Sequence, residues 1–154
     1  MYENPWLFND IPFDSSDIDK YTSFVYQITS LIDGRKYIGR KNFYFLRKEK
    51  GKTKRQRKES DWKSYYSSSQ ILKEQVKEHG PENFKREILS LHITEGDANR
   101  TEGEIQWKLN VLYDRHYINE TIGNHRLIKN SIVEQRRISS QISHILLNNT
   151  IERE

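Results

Sequence analysis

FVYQITSLIDGRKYIGR, residues 24–40, is the stretch whose reading decides the fold. Two runs rich in β-branched and aromatic residues, 24–29 and 36–39, flank Asp33-Gly34, and the glycine takes the positive φ that a tight hairpin turn demands. Alternate residues of a strand share a face, so Tyr26 and Ile28 lie opposite Val25 and Gln27. Each strand carries one tyrosine, Tyr26 and Tyr37, and the pairing brings the two near each other. Gly39 ends the second strand and lets another backbone, or a phosphate, come close.

Outward from the hairpin, charge is unevenly spread. Residues 35–58 hold twelve Lys or Arg against Glu49 alone, while residues 1–20 hold Glu3, Asp10, Asp14, Asp17 and Asp19 against Lys20 alone. The formal net charge is only +4, so the distribution, not the total, points to a polyphosphate partner. With 154 residues, 34% hydrophobic and 31% charged, the chain supplies one core and appendages. Cysteine is absent, which excludes disulfides, thiolate metal sites and cysteine nucleophiles. No basic-then-apolar leader and no membrane-spanning run is seen, so a soluble, cytoplasmic protein is expected.

In chain order, residues 1–20 read as an extended arm that Trp6, Phe8 and Phe13 pin to the domain. Residues 41–47 are apolar enough for a short helix or extended segment. Residues 48–60 form a basic loop, and its GKTKRQRKES run has no hydrophobic residue with which to bury itself. Ser67 with Gln70 fits a capping box for a helix carrying Ile71, Leu72 and Val76, which Gly80-Pro81 stops. Residues 84–91 read as a third strand. Ile105, Leu109 and Leu112 give a helical period over 100–112, and residues 124–154 a helical extension with an isoleucine stripe suited to a homodimer.

The order strand, strand, helix, strand, helix, with Val25-Tyr26 followed by Tyr37-Ile38-Gly39, resembles the GIY-YIG nuclease family over residues 21–123. Phe24-Val25 stand where the family has Gly-Ile; the second half of the motif is intact. The WKSYYSSS segment at 62–69 and HGPENF at 79–84 also resemble stretches of small phage-encoded members. The resemblance implies an α/β (α+β) sandwich: a three-stranded antiparallel sheet flanked by helices, with a C-terminal helical extension added here. It implies a DNA endonuclease, homing- or restriction-type, using Mg²⁺ or Mn²⁺; the rival is a nucleic-acid-binding module that has kept the scaffold without the catalysis.

Carried over residue by residue, the resemblance makes Tyr26 and Tyr37 the motif tyrosines that position or activate water. Arg47, eight residues after Gly39, falls where the phosphate-binding arginine commonly stands, with Arg40, Lys41 and Lys63 as alternatives. Tyr66 fits the later His-or-Tyr position, although Ser67 follows it instead of Gly and Tyr65 is a neighbouring alternative. Asn119 matches an asparagine that closes the domain. The metal-binding carboxylate is Glu102 or Glu104. Two residues apart, they point about 200° apart around a helix. Glu102 shares the stripe of Ile105 and Leu109, and it is the choice. Arg40, Lys41, Lys54, Arg55, Arg57 and Lys63 are the candidate DNA-binding side chains. The five histidines lack metal-ligand spacing.

Overall fold

A computed structural model of the chain describes residues 2–48, 55–122 and 125–126. Its strands are β1 (Leu7–Phe8), β2 (Ile11–Pro12), β3 (Ser23–Ser30), β4 (Lys36–Asn42), β5 (Tyr44–Lys48), β6 (Arg55–Glu59), β7 (Phe84–His92), β8 (Thr121–Ile122) and β9 (His125–Arg126). The helices are α1 (Gln70–His79) and α2 (Glu95–Lys108). Of the expected C-terminal helical extension only His125–Arg126 are described, and they form a strand paired with β8 instead of a helix; the rest of it with its dimer interface, and the tip of the basic loop with Lys54, lie outside the described residues.

The hairpin forms as its sequence requires. Gly34 sits at φ +72°, and the turn is pinned by bonds from Gly34 N to the Ser30 carbonyl (2.9 Å) and from Ser30 N to the Arg35 carbonyl (2.8 Å). β3 pairs antiparallel with β4 on one side and with β7 on the other. This trio is the antiparallel sheet expected, but the sheet has five strands, in the order β2-β1-β7-β3-β4. The two extra strands come from the presumed arm: β1 runs parallel beside β7 and turns back into β2. Apolar burial holds this segment in place. Trp6, Phe13 and Ile18 are core residues, and the Trp6 indole donates to the Trp62 carbonyl at 2.8 Å.

The sheet separates two cores. Phe24, Tyr26 and Ile28 point to the side of Trp6, Phe43, Trp62 and Leu72 of α1; Val25 and Ile38 point to Ala98 of α2, Val111 and Leu112. β3 is covered on both faces, which is why it reads as a nearly continuous apolar run. β7 alternates imperfectly because a bulge interrupts it: Val25 pairs with Ser90 and Tyr26 with Ile88, leaving Leu89 unmatched. Beyond that point Leu91 takes the first core's side and Ser90 and His92 turn toward α2.

Local details also depart from expectation. The basic run is not all loop: β6 pairs with β5 in a separate two-stranded ribbon, its base fixed by Ser60 N donating to the Phe43 carbonyl at 2.8 Å. The cap of α1 is Ser69, whose hydroxyl accepts from Leu72 N, not Ser67. Ser67 stands earlier, at φ +103°. α2 starts before Arg100 because Thr94 caps it, its hydroxyl accepting from Asp97 N at 3.1 Å. Among the described residues no helix is long and apolar enough to cross a membrane.

Candidate active site

β4 is the sheet's outer strand, and its unpaired edge would leave backbone groups exposed. At Lys36 the backbone of 116–118 bridges that edge, with Lys36 N donating to the His116 carbonyl and Ile118 N to the Lys36 carbonyl, both at 2.8 Å, and farther along side chains take over. Asn119 accepts from Ile38 N at 3.0 Å and donates to the Ile38 carbonyl at 2.8 Å, and Gln106 donates to that carbonyl at 3.0 Å. Two residues on, the backbone of Arg40 is hydrogen-bonded to Glu102. The edge pairing thus ends at an acid on α2, and a cleft of about 560 Å³ opens beside it. Tyr37, Arg40, Lys41, Ser68, Asn99 and Glu102 are among its walls, and the base of the ribbon adds Tyr44 and Phe45.

The two motif tyrosines meet. Their rings stack with centroids 6.2 Å apart, and this depends on Gly39, which pairs with Tyr26 in the register. A Cβ at Gly39 would lie 2.5 Å from the Tyr26 hydroxyl and 2.9 Å from Cε1 of Tyr37. Gly39 sits inside β4, not at its end, and a pair of phenols approaches it. Tyr26 is buried behind the cleft; its hydroxyl bonds Tyr65, whose ring stands edge-on at 6.2 Å. Tyr37 reaches the cleft, where its hydroxyl is hydrogen-bonded to Ser68.

Burial pushes all three phenols above the ordinary tyrosine range, Tyr26 furthest, with the negative charge of Glu102 adding to the effect. Tyr37 is therefore a neutral hydroxyl at physiological pH, able to donate and accept, and not a standing phenolate. Burial likewise raises the Glu102 carboxyl, opposed by Arg40, whose Nε lies 3.5 Å away, and by the Gln106 amide. Glu104 is elsewhere: it pairs with Arg100 at 2.6 Å and is 49% exposed against 21% for Glu102.

Two cations line the cleft, each with a carboxylate partner. Arg40 also meets Glu95 at 3.1 Å; Lys41 meets Asp61 at 2.5 Å and lies 3.8 Å above the Tyr65 ring. A phosphate entering here would exchange one anionic partner for another. Among the described residues no three His, Asp or Glu side chains converge on a metal position. A divalent ion held at Glu102 would have few protein ligands, an arrangement that suits Mg²⁺, a hard ion that keeps most of its waters.

The other candidate residues lie apart. The Tyr66 hydroxyl accepts from Asn4 at 2.7 Å, and its ring covers Arg86, so its neighbour Tyr65 is the one beside the tyrosine pair. Lys63 is bonded to Asp14 at 2.5 Å, away from the cleft. Arg57 lies 3.7 Å over the Tyr44 ring on the ribbon. The backbones of Arg47 and Arg55 lie in β5 and β6.

Sequence reasoning passed over Arg86, the buried cation of the first core. Its guanidinium donates to the carbonyls of Asn4, Lys63 and Tyr65, the last at 3.1 Å. It thereby fixes the segment that presents Tyr65. The signal was a lone arginine at an inward position of a strand, which the alternation of β7 made visible.

Residues 6–122 match the family model SegE_GIY-YIG, whose description reads "Putative endonuclease segE, GIY-YIG domain". No curated protein and no solved structure matches the chain.

Proposed function

This chain belongs to the GIY-YIG family, and on that footing we propose that it is a divalent-metal-dependent DNA endonuclease that hydrolyses a phosphodiester bond in the cleft beside β4. The observation that carries the reading is the convergence of Tyr37, Glu102, Arg40 and Lys41 on one opening. Each supplies a part of phosphodiester hydrolysis: Tyr37 orients the attacking water through a neutral hydroxyl, with Ser68 fixing its direction. Tyr26 and Tyr65 act behind it as positioning residues. Arg40 and Lys41 offset the charge that grows on the phosphoryl oxygens, leaving Glu95 and Asp61 as the phosphate arrives. Arg47, on the neighbouring ribbon, is proposed as a further phosphate ligand.

Glu102 would hold the metal, Mg²⁺ or Mn²⁺, which supplies stabilisation of charge on the departing 3′ oxygen. Arg40 opposes the burial that raises the Glu102 carboxyl, favouring its charged form. A homing- or restriction-type role, in which one site on duplex DNA is cut, follows from the same reading.

Nicking of supercoiled plasmid with Mg²⁺ tests it. Wild type is expected to convert the plasmid, and Glu102→Gln and Tyr37→Phe to lose about 10²-fold or more in rate. Wild type that retards DNA in a gel yet cuts with neither Mg²⁺ nor Mn²⁺ would reduce the protein to a binding module.

A further inference from the structure

β5 and β6 pair with each other and not with the five-stranded sheet. Their anchorage is at the base, where Phe43 is buried and Ser60 donates to the carbonyls of Phe43 (2.8 Å) and Asn42 (2.6 Å). Above the base, Phe45 is 42% exposed and residues 56–59 are all exposed. A two-stranded hairpin without apolar cover is marginal in water. Its sequence is strongly basic, with Arg47, Lys48, Arg55, Arg57 and Lys58 against Glu59. A polyanion would both cover the ribbon and neutralise that charge.

The register divides the side chains between two faces. Tyr44, Arg57 and Glu59 share one, where the Arg57 guanidinium stacks on Tyr44; Phe45, Gln56 and Lys58 share the other. Tyr44 and Phe45 also line the cleft, so nucleic acid whose backbone enters the cleft carries its adjoining groove past the ribbon. The major groove of B-form DNA, about 12 Å wide, admits a two-stranded ribbon. The deep, narrow major groove of A-form RNA does not admit side chains.

We infer that the β5–β6 ribbon lies in the major groove of the duplex DNA substrate, with Gln56 reading base edges and Arg57 and Lys58 holding the flanking phosphates. The inference rests on the nuclease reading above and extends it to how a site is chosen. A glutamine carboxamide matches the N6 donor and N7 acceptor of adenine, so an A·T pair is the expected preference at the position it meets.

Binding without cleavage tests this separately. The full chain, in EDTA, is used to select duplexes from a randomised pool, and affinity is followed by fluorescence anisotropy. Replacing purines of the selected site by 7-deazapurines removes the groove-side acceptor, and binding is expected to weaken at least about fivefold. Gln56→Ala should flatten the preference at one or two base pairs. Arg57→Ala and Lys58→Ala should each lower the slope of log K against log salt by about one. Unchanged binding of the 7-deaza duplex, an unenriched pool, or equal affinity for duplex RNA would overturn the inference. If these effects appear but no metal supports cutting, the ribbon inference stands and the nuclease reading fails. If the protein cuts while the ribbon variants select the same sequences with the same slopes, the ribbon inference alone fails.

Discussion

Gly39 and Ser67 show how much of the cleft depends on single backbone positions. Gly39 accommodates two rings at once, and Tyr26 cannot retreat easily, since it is enclosed by Trp6, Phe24 and Tyr65. Gly39→Ala is expected to destabilise the fold by about 1–3 kcal/mol, the usual cost of overpacking, and to lower nicking by displacing Tyr37. Urea midpoints and plasmid nicking on the same preparation check both. Ser67 is buried at φ +103°, a conformation that favours glycine, and its hydroxyl accepts from Ser69 N at 3.0 Å. Removing that bond and removing the strain have opposite signs. Ser67→Ala should lose about 1 kcal/mol of stability, and Ser67→Gly should come out about 1 kcal/mol above Ser67→Ala. Equal stability of the two variants in denaturant melts would show that the position carries no strain. The residue scale was also where the sequence said least about identity: Tyr65 and Tyr66 are adjacent and alike, and only the path set by Arg86 decides which one meets Tyr26.

At the scale of elements, the hairpin of β3 and β4 was legible because turn chemistry and residue type agreed, and α1 because Gly80 and Pro81 mark its end. Two elements were hidden. The ribbon's strands lack the apolar alternation by which strands are recognised: β6 is RQRKE throughout. The opening turns of α2 are polar because they face water, so only the Thr94 cap announces them. That end of α2 is tied to the sheet by a chain of hydrogen bonds, with His92 between Ser90 (2.7 Å) and Asp97 (2.7 Å). The His92 bond, followed by that of Arg100, holds the Asp97 carboxyl below its usual range. A carboxyl whose folded-state pKa lies below its unfolded one stabilises the fold above the unfolded value and loses that contribution as pH falls through the folded value. Stability should therefore decline on acidification through the carboxylate range, and Asp97→Asn should flatten part of that decline while lowering stability at neutral pH. Urea titrations at stepped pH on both proteins measure it; parallel curves would remove Asp97 as a contributor.

For the whole molecule, the decisive fact is that the first eighteen residues complete the larger core. Trp6 packs on Phe24 and Tyr26 at ring separations of 5.2 and 4.9 Å, and Phe13 stacks on Phe43 at 5.7 Å. Proline and acidic residues gave this segment the look of an arm, and no periodicity revealed that two residues on either side of Asn9-Asp10 make strands. Trp6→Ala should cost about 3–5 kcal/mol. Deleting residues 1–18 should leave a chain without a cooperative thermal transition by circular dichroism. A sharp transition in the shortened chain would mean that residues 19–154 are sufficient by themselves.

The dressing of the β4 edge has a consequence for how copies of the molecule meet. A sheet margin with idle amides invites a stranger's backbone, and that is how many folded proteins begin to stick. This sheet offers little welcome at either rim: one ends in a two-residue strand containing Pro12, the other in the carboxamides of Asn119 and Gln106. The carboxamides that close this margin therefore double as a guard on solubility. Losing Asn119 would be felt first in a test tube that turns cloudy, before any change in the cleft itself.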